Sequence, residues 1–540
     1  MMTELPNFPK GGHCVTESPI PIVIGVTGHR NLCPDDLDTI RSLVTQQLSG
    51  LRDAYPNSTF WMLNSLAAGA DMLCAEIALA LGIRLVCPLP MDAGEYAEDF
   101  QGEDCRRFRY LLSQSQSFVC PHLEPEKAGR DFLYRQAGLY IASRCHILLA
   151  LWDGDEEKKR GCGTAAAVFS ARERLPHSAF SCANRVSILH VRVNRADSPV
   201  RSAVTAQWLD GGPDNDILSR TDRFNTDAKA GGNIPDCPIL PPESTRELPL
   251  SRLEMLYQTA NAMSLSFQKR HTGSVLAAAV CCVLLVLAYL LYDELDCRGF
   301  LMLYGIVMAA YGLGCRIIRR RQFLERYLQY RLLAEAARVQ CYISGLGFQS
   351  SVSSCFTWTQ KQDAAWVHCA VDAVLIGPSP AAVLSEETAR EIWIQDQLQY
   401  HTRAQKKTGQ QHRLNQRICQ MTLLGMIAAF ALTFGLEYWL PGFMTGSAFL
   451  GLSPQSWLKI LWGSISAVTL FAADYFGKLC LDRKQIDHQK MAALFQEADQ
   501  AFARFPDGRE QLFQKLAAEE LIENGNWYSY CQESTLSFDL

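Results

Sequence analysis

Apolar positions along this chain follow two different rhythms. Over roughly the first 200 residues they come as short runs separated by polar, helix-compatible stretches. Runs at 20–26, 59–64, 84–87, 147–151 and 186–193 read as β-strands. Between them, helices are predicted from about Pro34, from after Asp71 to Leu81 and from Ala165 to Glu173. Strands alternating with helices predict a parallel, doubly wound α/β sheet. Beyond residue 250 the runs lengthen and alternate with dense charge.

Four of these later runs, 273–292, 299–315, 421–440 and 458–476, approach the ~20 residues needed to cross a hydrocarbon core. The acidic connector 293–296 makes the first two a tight hairpin, and a Gly/Ser/Pro-containing loop joins the other two. Each hairpin is preceded by a polar helix (252–270, 386–418) and followed by a heptad-like one (322–343, 482–504), where Arg331 and Glu335 are i,i+4 partners. The expected division is an α/β domain at 1–215, a linker at 216–251, a first helix and hairpin unit at 252–345, a cytoplasmic connector at 346–385 and a second unit at 386–540. Residues 196–250, rich in Asp, Pro, Gly and Ser, read as an excursion without assignable chemistry.

Basic residues fix the expected orientation. Lys269 and Arg270 precede span one, Arg316, Arg319, Arg320 and Arg321 follow span two, and Lys406, Lys407, Arg413 and Arg417 precede span three. Lys478, Arg483 and Lys484 follow span four, whereas the hairpin tips hold only Arg298. The positive-inside rule then puts both termini and 317–420 in the cytoplasm. Glu437, Lys459 and Asp474 are the ionisable residues within or beside the spans, hence pore candidates. Glu437 and Lys459 are expected at similar depth, as a pair. Small residues at helical spacing, Gly425/Ala429 and Gly305/Ala309, suit close helix packing.

Composition changes this picture little. The mean hydropathy of -0.03 averages a polar half with an apolar one. A net charge of -5 argues against nucleic acid as a partner. The 20 cysteines form no C-x-x-C, and several lie in apolar runs, which fits reduced, buried thiols better than disulfides. The 11 histidines show no metal-ligand spacing, so no metal is expected. No basic stretch leads into an apolar run at the start, so no cleavable signal peptide is expected.

Three turns fall at the carboxyl edge of the expected sheet, where such folds bind ligands. Gly25, Thr27, Gly28, His29 and Arg30 form the first, Ala68, Gly69 and Asp71 the second, and Asp153, Gly161, Gly163 and Thr164 the third. Glycine permits close backbone approach, and each turn feeds a helix N-terminus suited to phosphate. The chain has no G-x-x-x-x-G-K-[S/T] and is not a P-loop NTPase.

G-V-T-G-H-R at 25–30, L-A-A-G-A-D at 66–71, L-A-L-W-D-G at 149–154 and G-C-G-T-A at 161–165 together resemble the SLOG domain, the Rossmann-like fold of Lonely Guy phosphoribohydrolases and the DNA-processing protein DprA. The resemblance covers about residues 20–195. SLOG domains joined to membrane helices are similar to effectors of bacterial anti-phage systems. There a partner enzyme, of TIR-domain or nucleotidyltransferase type, makes a nucleotide signal such as an ADP-ribose derivative, and the membrane part then depolarises or damages the cell. The resemblance therefore implies a nucleotide second messenger as ligand, a homo-oligomer in the bacterial inner membrane, and pore opening or membrane disruption as output. Lonely Guy enzymes carry a catalytic glutamate shortly after the threonine, but Ala165, Ala166 and Ala167 follow Thr164 here. Binding without turnover is thus expected, with Asp71 and Asp153 holding ribose hydroxyls. The alternatives are a membrane-anchored nucleotide N-glycosidase or phosphoribohydrolase and a constitutive channel whose α/β domain serves assembly only.

Overall fold

The structure, a computed structural model, describes residues 18–124, 129–155, 161–173, 186–209, 212, 215–231, 238–241, 249–357, 362–378, 381–446, 452–479 and 481–533. It divides into two compact units. The first comprises Met1–Ile234, Thr245–Thr259 and Thr357–Pro380, and the second comprises Pro235–Ser244, Ala260–Phe356 and Ala381–Leu540.

The first unit runs β1 (Ile22–Gly28), α1 (Leu37–Ala54), β2 (Phe60–Leu63), α2 (Ala70–Ala80), β3 (Arg84–Leu89), α3 (Ala93–Ala97), α4 (Gly102–Ser113), β4 (Gln116–Val119), α5 (Arg130–Arg144), β5 (Ile147–Trp152), α6 (Thr164–Glu173), β6 (Ser187–Arg192), β7 (Thr205–Leu209) and α7 (Asn215–Ala230). The strands form one sheet in the order β4-β3-β2-β1-β5-β6-β7. All pairings are parallel except β6 with β7. The central strands β1 and β5 are apolar on both faces because helices cover both. Ile22, Ile24 and Val26 pack into the core with α1, α2 and α4, while Val23, Leu148 and Ala150 join the core with α5 and α6.

Two expectations change here. The sheet is mixed, because the chain turns back after β6 and β7 pairs antiparallel along its edge. The supposed excursion and linker also carry structure: α7 docks through Asn225, which accepts from the Ile20 amide at 3.2 Å and donates to its carbonyl at 2.8 Å.

The second unit contains most of α8 (Leu250–Leu295), α9 (Arg298–Arg321) and α10 (Phe323–Gly345). The chain then returns to the first unit with α11 (Ala365–Val374), inside the connector segment, where a loop or a small helical insertion is expected. Trp366 there meets Phe224 of α7, and Asp372 pairs with Arg144 of α5 at 2.9 Å. A π-helical stretch, Arg390–Gln395, leads into α12 (Asp396–Trp439), followed by α13 (Pro454–Lys478), α14 (Leu481–Arg504) and α15 (Arg509–Glu533).

Four helices are long and apolar enough to cross a membrane, and their apolar windows are largely uncovered within the chain. They hold the four predicted spans. Asp296, at φ +46°, turns α8 into α9, and Gln322, at φ +48°, separates α9 from α10. The Gly425/Ala429 face of α12 meets α13 through Ile465, whereas no atom of the described residues comes within 4 Å of a Cβ built on Gly305 of α9.

Among the helices beyond the spans, α10 is no solvated extension: apart from Arg331 it is buried from Leu328 to Gly345. Trp393 stacks between Tyr342 and Phe513, with ring centroids 5.0 and 5.8 Å away. Beneath this stack lies a closed charge network. Arg331 pairs with Glu335 as the spacing predicted, Arg338 bridges Glu335 and Glu520, and the Trp393 Nε1–H donates to Glu520 at 2.9 Å. Burial alone would raise the Glu335 carboxyl, but Arg331 and Arg338 overcome that and hold it at about 2.

Removing one member of a buried ionic network strands its partners, at a cost of about 3–5 kcal/mol. Glu520→Ala leaves the Trp393 indole N–H without its acceptor and the Arg338 guanidinium with Glu335 alone, so thermal melting of the detergent-solubilised protein is expected to drop clearly. Glu520→Gln, which keeps an acceptor for Trp393, is expected to lose less. Equal melting of Glu520→Ala and wild type contradicts this assignment.

Candidate functional site

Starting from β1, the chain order runs outward one way through β2, β3 and β4 and the other way through β5, β6 and β7. The direction of winding therefore reverses between β1 and β5, and their carboxyl ends bound the crevice where open α/β sheets take ligands. His29 follows β1 and Asp153 follows β5. The His29 Nε2 lies 3.0 Å from Asp153 Oδ1, and the two side chains are 18% and 27% exposed. Burial raises the Asp153 carboxyl, but the Asp155 amide, His29 and Arg195 outweigh it and hold it below the ordinary carboxylate range.

Arg30 is exposed at the same rim. Its guanidinium lies 5.1 Å from the ring centroid of Tyr134 on α5, and among the described residues no carboxylate pairs with it. Tyr134 is in turn fixed by Asp99, which its hydroxyl and Arg130 both contact. These supporting residues come from 93–144, where the sequence showed no motif, and only the tertiary fold brings them to Arg30.

The glycines are explained differently from the sequence expectation. A Cβ on Gly28 would come 2.3 Å from that of Ala70, and one on Gly69, at φ +80°, would come 2.2 Å from the Arg30 carbonyl oxygen. The close approach they permit is between the protein's own loops. Ala70 N–H donates to the His29 carbonyl at 3.0 Å, and His29 N–H to the Leu151 carbonyl at 3.1 Å. Gly25 lies within β1, where its missing side chain seats Ile141 and Cys145 of the α5 region. Thr27 is half-buried opposite Ala150 of β5.

Asp71 also departs from its expected role of holding a ribose. It is only 6% exposed, and its carboxylate takes the Ala67 amide. Asn64 ties the same loop, donating to the Asp71 carbonyl at 2.7 Å and accepting from Leu66 N–H at 2.7 Å. Leu66 there sits at φ +57°, a conformation costly for a non-glycine residue unless its surroundings enforce it. Ala68 lies half-buried within this clasped loop.

The third turn is the open one. Gly163 caps α6, its carbonyl accepting from Ala166 and Ala167 at 3.0 and 3.2 Å, and no atom of the described residues lies within 4 Å of a Cβ built there. Gly161 accepts from Arg135 at 2.9 Å. Residues 156–160 of this loop lie outside the described residues. Thr164 and the following alanines are buried. Burial and Asp131 raise the Cys162 thiol, the opposite of what a nucleophile requires. Among the described residues, the rim thus presents a cation, a His–Asp pair and the start of α6.

Of the membrane-segment candidates, Lys459 does not pair with Glu437. Its Nζ lies 3.1 Å from Glu294 at the end of α8, while Glu437 accepts from Gln455 at 3.3 Å. The first hairpin's tip supplies the nearer carboxylate, a contact that the sequence separation of Glu294 and Lys459 concealed. Asp474 is exposed on α13.

Burial raises the Asp71 carboxyl from its ordinary 3.8 to about 7, with the Ala67 amide and the Arg30 charge restraining the rise. Between those values the folded protein keeps a proton that the unfolded chain has released. Stability therefore falls as pH rises through this window, by on the order of 4 kcal/mol in all. Asp71→Asn keeps an acceptor for Ala67 and cannot ionise. It is expected to melt like wild type near pH 4 and above wild type at pH 8, and a difference independent of pH contradicts this.

Against known protein families, curated proteins and solved structures, the chain has no match.

Proposed function

We propose that this chain is a nucleotide-gated membrane effector. Its α/β unit binds a phosphate-bearing messenger of the ADP-ribose or cyclic ADP-ribose type, and the bound state opens a pore or disrupts the membrane. The observation that carries this reading is Arg30, an exposed guanidinium with no carboxylate partner among the described residues, beside the crevice between β1 and β5. Arg30 supplies a charge for a diphosphate, the start of α6 supplies backbone donors, and the His29–Asp153 pair offers polar atoms to a ribose. The same chain carries four helices of membrane-crossing length.

A ligand moves a two-state equilibrium only by its differential affinity for the two states. The messenger therefore binds more tightly to the arrangement in which the spans conduct. The setting that fits is a homo-oligomer in the bacterial inner membrane, with both termini cytoplasmic and a TIR-domain or nucleotidyltransferase enzyme supplying the signal in anti-phage defence. One observation favours an enzyme instead, because a carboxyl near neutrality such as Asp71 is a common mark of acid–base catalysis. That reading predicts base release from NAD, lost in Asp71→Ala.

The test is efflux from liposomes containing the purified protein, across a panel that includes ADP-ribose and cyclic ADP-ribose. Wild type is expected to respond to at least one such nucleotide. Losing a charge-assisted contact worth about 1.5–3 kcal/mol shifts the effective concentration for Arg30→Ala upward roughly 10- to 100-fold. An undiminished response in Arg30→Ala overturns the assignment of the site.

A further inference from the structure

We propose that the helical unit holds a specific site for an anionic phospholipid, where the inner ends of the first hairpin meet the helices that follow. A cavity of about 850 Å3 opens there between α8, α9, α10 and the segments around α13–α15. This is within the roughly 300–1,000 Å3 usual for small-ligand sites. Its walls are largely apolar, with Val275, Ile318, Leu328 and Tyr475 among them. The same cavity is lined by Arg316, Arg319, Arg320 and Lys484, against the single carboxylate of Glu325. Among the described residues, Arg316 and Arg320 pair with no acidic side chain.

The chemistry of the lining selects the occupant. A free phosphate would satisfy the cations and leave the apolar walls wet. A zwitterionic lipid would fill the walls but bring its own cation to the arginines. An anionic phospholipid meets both demands, and the position matches, because Arg316 to Arg321 stand where span two gives way to the cytoplasmic helix. Basic pockets between membrane helices bind acidic head groups for the same reason. Burial and the charge of Lys484 lower the nearby His271, which keeps that side chain neutral beside the cations. The site rests on the reading of α8, α9 and α13 as membrane-crossing, and is independent of nucleotide sensing at the sheet rim.

The full-length protein, stripped of lipid in detergent, is to be titrated with phosphatidylglycerol, phosphatidylcholine or sodium phosphate. Bound lipid is read by native mass spectrometry and stability by thermal melting. Phosphatidylglycerol is expected to remain as a discrete adduct and to raise the melting temperature by mass action, whereas the other two leave it unchanged. Arg316→Gln combined with Arg320→Gln is expected to weaken phosphatidylglycerol binding about tenfold or more, with melting of the lipid-free protein unaltered. Equal stabilisation by phosphatidylcholine or by phosphate in the wild type overturns the proposal, with no need for a variant. Flotation with liposomes separates the two readings: a protein that does not float refutes the membrane assignment, and one that floats without preferring phosphatidylglycerol refutes this site alone.

Discussion

The guanidinium of Arg252 holds together three parts of the α/β unit that are far apart in sequence. It sits 4.7 Å from the ring centroid of Trp61 on β2, and its Nη2 donates to the Ile376 carbonyl, just past α11, at 2.6 Å. Arg252 also belongs to the first turn of α8, which continues unbroken to Leu295. At 1.5 Å per residue a helix of 46 residues is about 70 Å long. Its root is thus clamped to the sheet while its far part carries the first membrane-length segment.

At the rim, the same physical requirement has two solutions that look identical in sequence. Glycine is needed wherever another group approaches the backbone closely, whether that group is a phosphate or another loop. At Gly28 and Gly69 the approaching group is protein. The interlocked loops make a rigid floor, and the exposed chemistry is left to residues that do not take part in the interlock. Arg30 extends from this floor over Tyr134, and His29 contacts Asp153 across the β1–β5 boundary. A rigid floor with a few projecting polar groups is how preorganised sites limit the entropy lost on binding.

Much of the fold was legible in the sequence because burial on both faces writes an unbroken apolar run. β1, β5 and β6 were read within two residues, and all four membrane-length segments were found. The edge strands were missed for the complementary reason. β4 reads Gln-Ser-Phe-Val with only Phe118 buried, and the residues of β7 are exposed or half-buried. α7 was missed because it lies in a stretch whose composition resembles a linker, whereas the apolar Ala365–Val374 segment left a loop and a small helical insertion both open. The site was legible as a position, the carboxyl edge, but not as a division of labour. That Asp71 turns inward and Arg30 outward goes with contacts of Asn64, Ala67 and Tyr134, of which only Ala67 lies in a quoted motif, and its backbone amide carries no side-chain signal.

The charges divide into closed and open sets, and the division bears on where a response can arise. Arg331, Glu335, Arg338 and Glu520 neutralise one another inside a helical core, and separating such a set costs more than the ~1–3 kcal/mol typical of coupling between sites. No small ligand can disturb it cheaply, so it fixes the packing of α10 against α15 as a constant. Arg30 and the Arg316–Arg320 pair are the reverse case, cations without acidic partners among the described residues. An anion arriving at either gains the full interaction without first breaking an existing one. On the proposed readings, sensitivity to ligand belongs at the open cations, and within the helical unit the closed network is the fixed packing beside which the Arg316–Arg320 pair stands open.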